Sequence, residues 1–289
     1  MKLALFMKVC EGEYDIGLSA LQTLIQSCQG HDLNFFVLDD ASPSRVGQRL
    51  ARQFQTITGQ PADCFELPKS LGFRGSAQRA FMGLHRIATC GQSFDLVVKI
   101  DADAIVARKD LGEFMAKVCP DGIGLYSEAY SMRPQDRILY LADCIPFGFK
   151  RQCIDGVIQR QWQFGRTYPV WWADFGIKAL LNGFRFSFIP GCFWFLGGKT
   201  LQVLEAVGYF TRDQSKYGFV FNDDLLLTNA VHAIKHRIVD LTKVSPHWNR
   251  FLGMTEEAPL EYIKPFQPYV VHPLKDRPKA WERRRELLE

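Results

Sequence analysis

Two aspartates one residue apart, Asp101-Ala102-Asp103, close the apolar run LVVKI and precede a second apolar pair, Ile105-Val106. Ionised carboxylates do not stay in a core without partners, so this pair has to emerge where the run ends. A hard divalent cation, which takes oxygen ligands, is the simplest group that satisfies both at once. Earlier in the chain, KSLGFRGSAQRAFMG (69–83) opens with small residues and carries Lys69 and Arg74 beside its glycines. A helix N-terminus flanked by cations suits a pyrophosphate; solvated surface charge is the plain alternative for both side chains. Two further acidic pairs stand in related settings. Asp39-Asp40 follows an apolar run and leads into Ala41-Ser42-Pro43, and Asp223-Asp224 follows Asn222 and leads into LLLTNAVHAIKH. A turn or a helix cap explains each of these as readily as chemistry does.

Such residues need a scaffold that gathers them. Apolar runs predict strands at 3–9, 34–38, 64–67 and 96–100, and helical periodicity predicts helices at 15–28, 44–54 and 76–87. The alternation implies an α/β fold, a doubly wound and mostly parallel sheet with right-handed crossovers. Open sheets of this kind bind ligands outside the carboxyl ends of their strands, which is where Asp101 and Asp103 fall. The glycines do not form G-x-G-x-x-G after the first strand, so a dinucleotide fingerprint is absent. The middle of the chain, 125–195, is rich in aromatics, including Trp162, Trp171 and Trp172. Those rings either fill a core or form the wall of a pocket for a sugar-like acceptor.

Composition narrows the classes. With 289 residues, 47% of them hydrophobic, the chain can bury one large core with an extension. The formal charge of +4 and the lack of a long basic run before the C-terminus argue against nucleic acid as a partner. Eight scattered cysteines without a C-x-x-C pair read as reduced thiols of a cytoplasmic protein. MKLALFMKVCEGE is too short in its apolar part for a signal peptide and reads as the first strand. In the tail, Trp281 and Arg283-Arg284-Arg285 form a solvated helix face or a peripheral contact with an anionic membrane surface.

The D-x-D element, GGKTLQVLEAVGYF (197–210) and NDDLLL (222–227), in that order, resemble the GT-A fold glycosyltransferases, the family 2-like group above all. The resemblance spans roughly residues 1–240 as spaced motifs. It implies a metal-dependent transfer of a sugar from a nucleotide-diphosphate sugar, UDP-sugar first, to a hydroxyl of a carbohydrate or other acceptor. By resemblance, Asp39 or Asp40 accepts a hydrogen bond from the nucleobase, Asp103 ligates the cation, and Asp101 contacts ribose or metal-bound water. A late histidine often completes the metal set in this family; His272, after YVV, is the first candidate and His247 the second. Asp224, or Asp223 beside it, matches the acceptor-deprotonating acid, which implies inversion, with retention as the alternative. Gly197-Gly198 matches the acceptor loop. Trp171, Trp172 and Asp174 lie in the interval left to meet the acceptor. Phe81 stands where an asparagine is usual in the family. The implied layout is a catalytic domain over 1–245, its nucleotide half 1–125 and its acceptor half 126–245, followed by an extension over 246–289.

Two rivals are weaker. A nucleotidyltransferase carries a basic glycine-rich loop after its first strand, where this chain has the acidic CEGEYD. A non-catalytic sugar-binding or partner-binding protein of the same fold has no use for two acids on one strand end.

Overall fold

Strands buried on both faces of a parallel sheet read as continuous apolar runs. KLALFMKV (β1, Lys2–Val9), DLNFFVLD (β2, Asp32–Asp39) and LVVKID (β4, Leu96–Asp101) do so and lie at the centre, whereas the half-exposed β3 (Ala62–Glu66) is an edge. The computed structural model describes residues 1–72, 75–132, 134, 137, 140–141, 150–154, 157–161, 170–189, 191–212, 223–251 and 267–272. Within these, only the backbone is described for 150–154, 157–161, 170–173, 223–224 and 249–251.

Adding β6 (Leu125–Ser127), β11 (Phe193–Gly197) and β12 (Ile238–Asp240) gives a seven-stranded sheet in the order β12-β6-β11-β4-β1-β2-β3. All neighbours run parallel except β11, which is antiparallel to both β4 and β6. The chain moves outward from β1 to β3 and then returns to the other side of β1 as β4. The carboxyl ends of β1 and β4 are therefore a topological switch point, the usual place for a ligand.

Alternate residues of each strand feed two cores. Leu5 and Met7 face a layer built from α1 (Tyr14–Ser27), α2 (Val46–Thr58) and α4 (Leu111–Val118), with Leu24, Phe54 and Met115 in it. Phe6 and Trp194 face α3 (Ser76–Thr89), α5 (Val170–Leu181), α6 (Gly198–Ala206) and α7 (Asp223–Ala233). Helices on both faces make the sheet doubly wound, as the alternation implies. Gly83 is what lets α3 lie on the sheet, because a Cβ there would come within 2.2 Å of the Phe6 ring. Phe81, in place of the family's asparagine, is a core residue packed edge-on against Tyr209 at 5.3 Å.

The predicted helix at 44–54 begins later and ends later, at Val46 and Thr58. Arg45 holds a left-handed backbone, φ 53°, and delays the first turn. The aromatic middle contributes a two-stranded pair of β7 (Tyr130–Ser131) with β10 (Ser187–Phe188) and a hairpin of β8 (Lys150–Ile154) with β9 (Val157–Gln161). After the D-x-D turn, β5 (Ile105–Val106) joins a second sheet, β13-β14-β5, with β13 (Asn249–Phe251) and β14 (Val270–His272). The described part of the expected extension is thus not separate: Trp248, Tyr269 and Val270 belong to the first core. The basic tail 273–289, with Trp281 and its arginines, lies outside the described residues. Among the described residues no helix is long and apolar enough to cross a membrane. The described cysteines, Cys10, Cys28, Cys64, Cys90, Cys119 and Cys192, are free thiols.

Candidate functional site

Asp101 is the last residue of β4, and its backbone N–H donates to Cys192 O at 2.8 Å, so β11 fixes it from the side. Two residues on, the turn presents Asp103. Opposite it, β14 runs antiparallel to β5, pairing Val271 with Ile105, and this register carries His272 to the turn. His272 Nε2 lies 3.1 Å from Asp103 Oδ1. One donor atom from each of Asp101, Asp103 and His272 falls within 4.8 Å of the others. Two ligands of one small hard cation at bond lengths of about 2.1 Å lie at most about 4.2 Å apart, so a slight closure would complete the set. Two carboxylate oxygens and an imidazole suit Mn2+ or Mg2+. His247 is exposed and adds no ligand atom to this cluster.

Aromatic packing holds β14 in place. Trp248 is fully buried and stacks on Phe114 at 5.6 Å, with Phe193 edge-on at 5.7 Å. Tyr269 lies 4.6 Å from the Phe114 ring, its hydroxyl donates to Asp110 Oδ2 at 3.3 Å, and the Arg108 guanidinium covers its other side at 4.2 Å. Arg108 also holds the Asp110 carboxyl below its usual range through a direct hydrogen bond.

Beneath Asp101 sits Lys99, whose side chain is 1% exposed and whose Nζ is 2.6 Å from Asp101 Oδ1. On β1, Lys8 stands level with Asp101 in the register and donates from Nζ to Ser76 Oγ, at the start of α3, at 3.0 Å. Glu13 closes the near side. Burial raises the pKa of its carboxyl, the Cys10 N–H at 2.8 Å opposes that shift, and the charges of Asp103 and Asp101 add to it. Burial and the neighbouring Glu13 push the Cys10 thiol up to about 12.

At the end of β2, Asp39 and Asp40 are both enclosed. Asp39 accepts from Ser42 N, Ser42 Oγ and Gly47 N at 2.8, 2.6 and 2.7 Å. Asp40 accepts from Ser70 Oγ, Leu71 N, Gly72 N and Arg79 Nη1 at 2.9, 2.7, 3.1 and 2.9 Å. These bonds fasten the loop at 69–72 and the entry to α2, where Ala41 also takes a positive φ of 56°. Lys69 is exposed on that loop, and Arg74 lies outside the described residues.

Helices α5 and α7 run side by side in the same direction. Tyr140 Oη meets Gly176 O at 3.4 Å and Asn229 Oδ1 at 2.6 Å, and Asn182 Nδ2 donates to His232 O and Ala233 O. Trp171–Trp172 and Asp223–Asp224 therefore open neighbouring first turns. Helix α7 ends at Ala233, and the carbonyl of Arg237 just beyond it accepts from Leu125 N at the amino end of β6, so the helix runs toward that end of the sheet and opens toward the carboxyl end. Only backbone is described for those four residues. Asp174 is exposed and paired with Lys178 at 2.7 Å.

Gly197 and Gly198 require a correction. Because β11 is antiparallel to β4, Gly197 pairs with Leu96, at the opposite end of the strand from Asp101. Five residue steps of about 3.3 Å separate those ends, roughly 16 Å. The glycines are there for backbone contact: a Cβ on Gly198 would overlap Phe94 O, and one on Gly197 would overlap Gly122 O. They pack the sheet at the end away from Asp101 and Asp103.

Sequence reasoning passed over Lys8, Glu13, Arg79 and Lys99. For Lys99 a signal existed, a lone cation inside the run LVVKI; the others become visible only when strand ends meet.

In fold the chain is similar to the galactosyltransferase LgtC solved with donor and acceptor sugar analogs, at TM-score 0.50 and 12% identity, over 99% of this chain and 95% of that one. It also aligns with the mannosyltransferase PcManGT from Pyrobaculum calidifontis, solved with GDP-Man and Mn2+, at TM-score 0.49 and 15% identity, over 98% of this chain. The aligned part is 60% of that mannosyltransferase's length, less than two thirds of it. No protein-family model matches the sequence, and no curated protein is similar to it in sequence. The architecture is that of the GT-A fold.

Proposed function

We propose that the chain is a divalent-cation-dependent glycosyltransferase that moves a sugar from a nucleoside-diphosphate sugar, UDP-sugar first, to a hydroxyl of a carbohydrate or other acceptor. The observation that carries this reading is the convergence of Asp101, Asp103 and His272 at the switch point of a GT-A sheet. Asp103 and His272 would hold the cation, and Asp101 would offer it one oxygen while the other stays on Lys99. When bound, the cation supplies Lewis-acid stabilisation of the charge that builds on the leaving diphosphate. Lys8, reaching from β1 to the start of α3, and Lys69 on the loop before that helix would supply positive charge on the diphosphate side, and Arg74 is the further candidate from the sequence. Asp39 and Asp40 shape the nucleobase side by fixing its loops, and a base contact would come from whichever carboxylate can exchange one of its present donors.

Asp224, with Asp223 next to it, is the candidate base for the acceptor hydroxyl, since the first turn of α7 opens at the same end of the sheet as the acid pair. Deprotonation there, opposite the leaving group, gives an inverted product. Trp171 and Trp172, at the adjoining turn of α5, are the candidates to meet the acceptor.

Calorimetry with UDP and Mn2+ tests the reading. The wild type should bind UDP only with the cation, and Asp103→Ala should lose that dependence entirely. In a donor screen, Asp224→Asn should lower turnover by about 10²-fold with little change in donor affinity. Full binding by Asp103→Ala would remove the site from the proposal, and a product of retained anomeric configuration would remove the base role.

A further inference from the structure

Lysine is the least expected residue in the middle of a buried strand, because a buried ammonium is costly unless it is paired. Lys99 occupies such a place. Its cross-strand neighbours are Phe6 on one side and Trp194 on the other, both buried. Its side chain is 1% exposed, and its ammonium meets Asp101 Oδ1 at 2.6 Å from below, while the Asp101 side chain keeps 30% of its surface open. The pairing therefore divides the two oxygens of Asp101, one fixed inward and one left for the site.

The pairing also sets the charge of the site. Asp101 and Asp103 bring two negative charges, and Lys99 cancels one of them at close range in a setting screened from water. A bare divalent cation is attracted less than it would be by the acids alone. A diphosphate is repelled less. We propose that Lys99 is a positioning residue that tunes the acid pair against a free divalent cation and in favour of a cation carried with a nucleoside diphosphate. This inference rests on the glycosyltransferase reading of the site.

Opposite effects on two ligands are its signature. Lys99→Met should bind Mn2+ alone about tenfold more tightly, read from the free-ion paramagnetic resonance signal, and should bind UDP at saturating Mn2+ more weakly. Lys99→Arg, which keeps the charge, should stay near the wild type in both. A damaged fold would weaken both ligands together, so it cannot imitate the expected pattern. Where Lys99→Met does not fold, Lys99→Gln takes the same measurements, since the amide keeps an N–H for Asp101 without the charge. Equal or weaker Mn2+ binding by the folded variant overturns the inference while leaving the site intact. If the wild type binds neither Mn2+ nor UDP with Mn2+, the reading of the site itself fails.

Discussion

Two acidic pairs end the two strands that flank β1, and they have opposite fates. Asp39 and Asp40 are 0% and 4% exposed, and the protein's own N–H, hydroxyl and guanidinium groups fill both carboxylates. Asp101 and Asp103 stay partly open, touched by an ammonium from below and an imidazole from the side. Composition does not separate the pairs, since each is two aspartates after an apolar run. What separates them is the chain brought against them. The turn after Asp40 folds its donors back onto Asp39, and the loop at 69–72 with Arg79 of α3 supplies those on Asp40. After Asp103 comes a two-residue strand that leaves at once for another sheet and pairs with the strand that brings His272 back.

That contrast is open to direct test. The largest effect should come from Asp40→Ala, which strands the Arg79 guanidinium and frees the 69–72 loop. Breaking a buried pair on one side costs about 3–5 kcal/mol, measurable by urea denaturation, whereas Asp103→Asn should cost no more than about 1 kcal/mol. A stable Asp40→Ala that fails only in UDP binding would turn Asp40 from an anchor into a ligand contact. Next, Trp248→Phe should lower stability by about 1–3 kcal/mol through the space left against Phe114 and Phe193. It should also loosen Mn2+ binding, because the same ring seats the strand that carries His272. Unchanged Mn2+ affinity in that variant would show that His272 is held without it.

The smallest effect concerns Glu13. Burial, with the charges of Asp103 and Asp101, raises its folded pKa above the ordinary 4.5. Above that value the unfolded chain has released the proton while the native state still holds it. Native stability therefore falls as pH rises through the window between the ordinary and the raised value. Glu13→Gln cannot ionise and still accepts from Cys10 N–H, so its stability relative to the wild type should grow as pH rises above the ordinary 4.5. A gap that does not change with pH would mean that Glu13 does not feel the acid pair.

The same contrast explains what could be read from the sequence. The strands and helices of the first hundred residues were legible because buried parallel strands and amphipathic helices leave local patterns. Asp101 and Asp103 were legible because two carboxylates cannot remain in the run that precedes them. The seven donors around Asp39 and Asp40 were not legible, since Leu71, Gly72 and Arg79 arrive from another loop and another helix. Gly197 and Gly198 misled because a glycine pair before a helix looks the same at either end of a strand. Only the antiparallel sense of β11, a property of pairing and not of composition, puts them at the end of β4 away from Asp101.

Asp103 and His272 lie about 170 positions apart in the sequence, a separation at which closing the contact adds only slowly to the entropic cost but delays it in time. As the chain leaves the ribosome, β1 to β4 can assemble with the acid pair already exposed, while the imidazole is still unmade. On the proposed reading, cation capture would thereby be deferred until residue 272 has been synthesised. A chain released before β14 would keep the sheet and both acids yet lack the His272 imidazole, so its metal affinity would report whether synthesis had passed that strand.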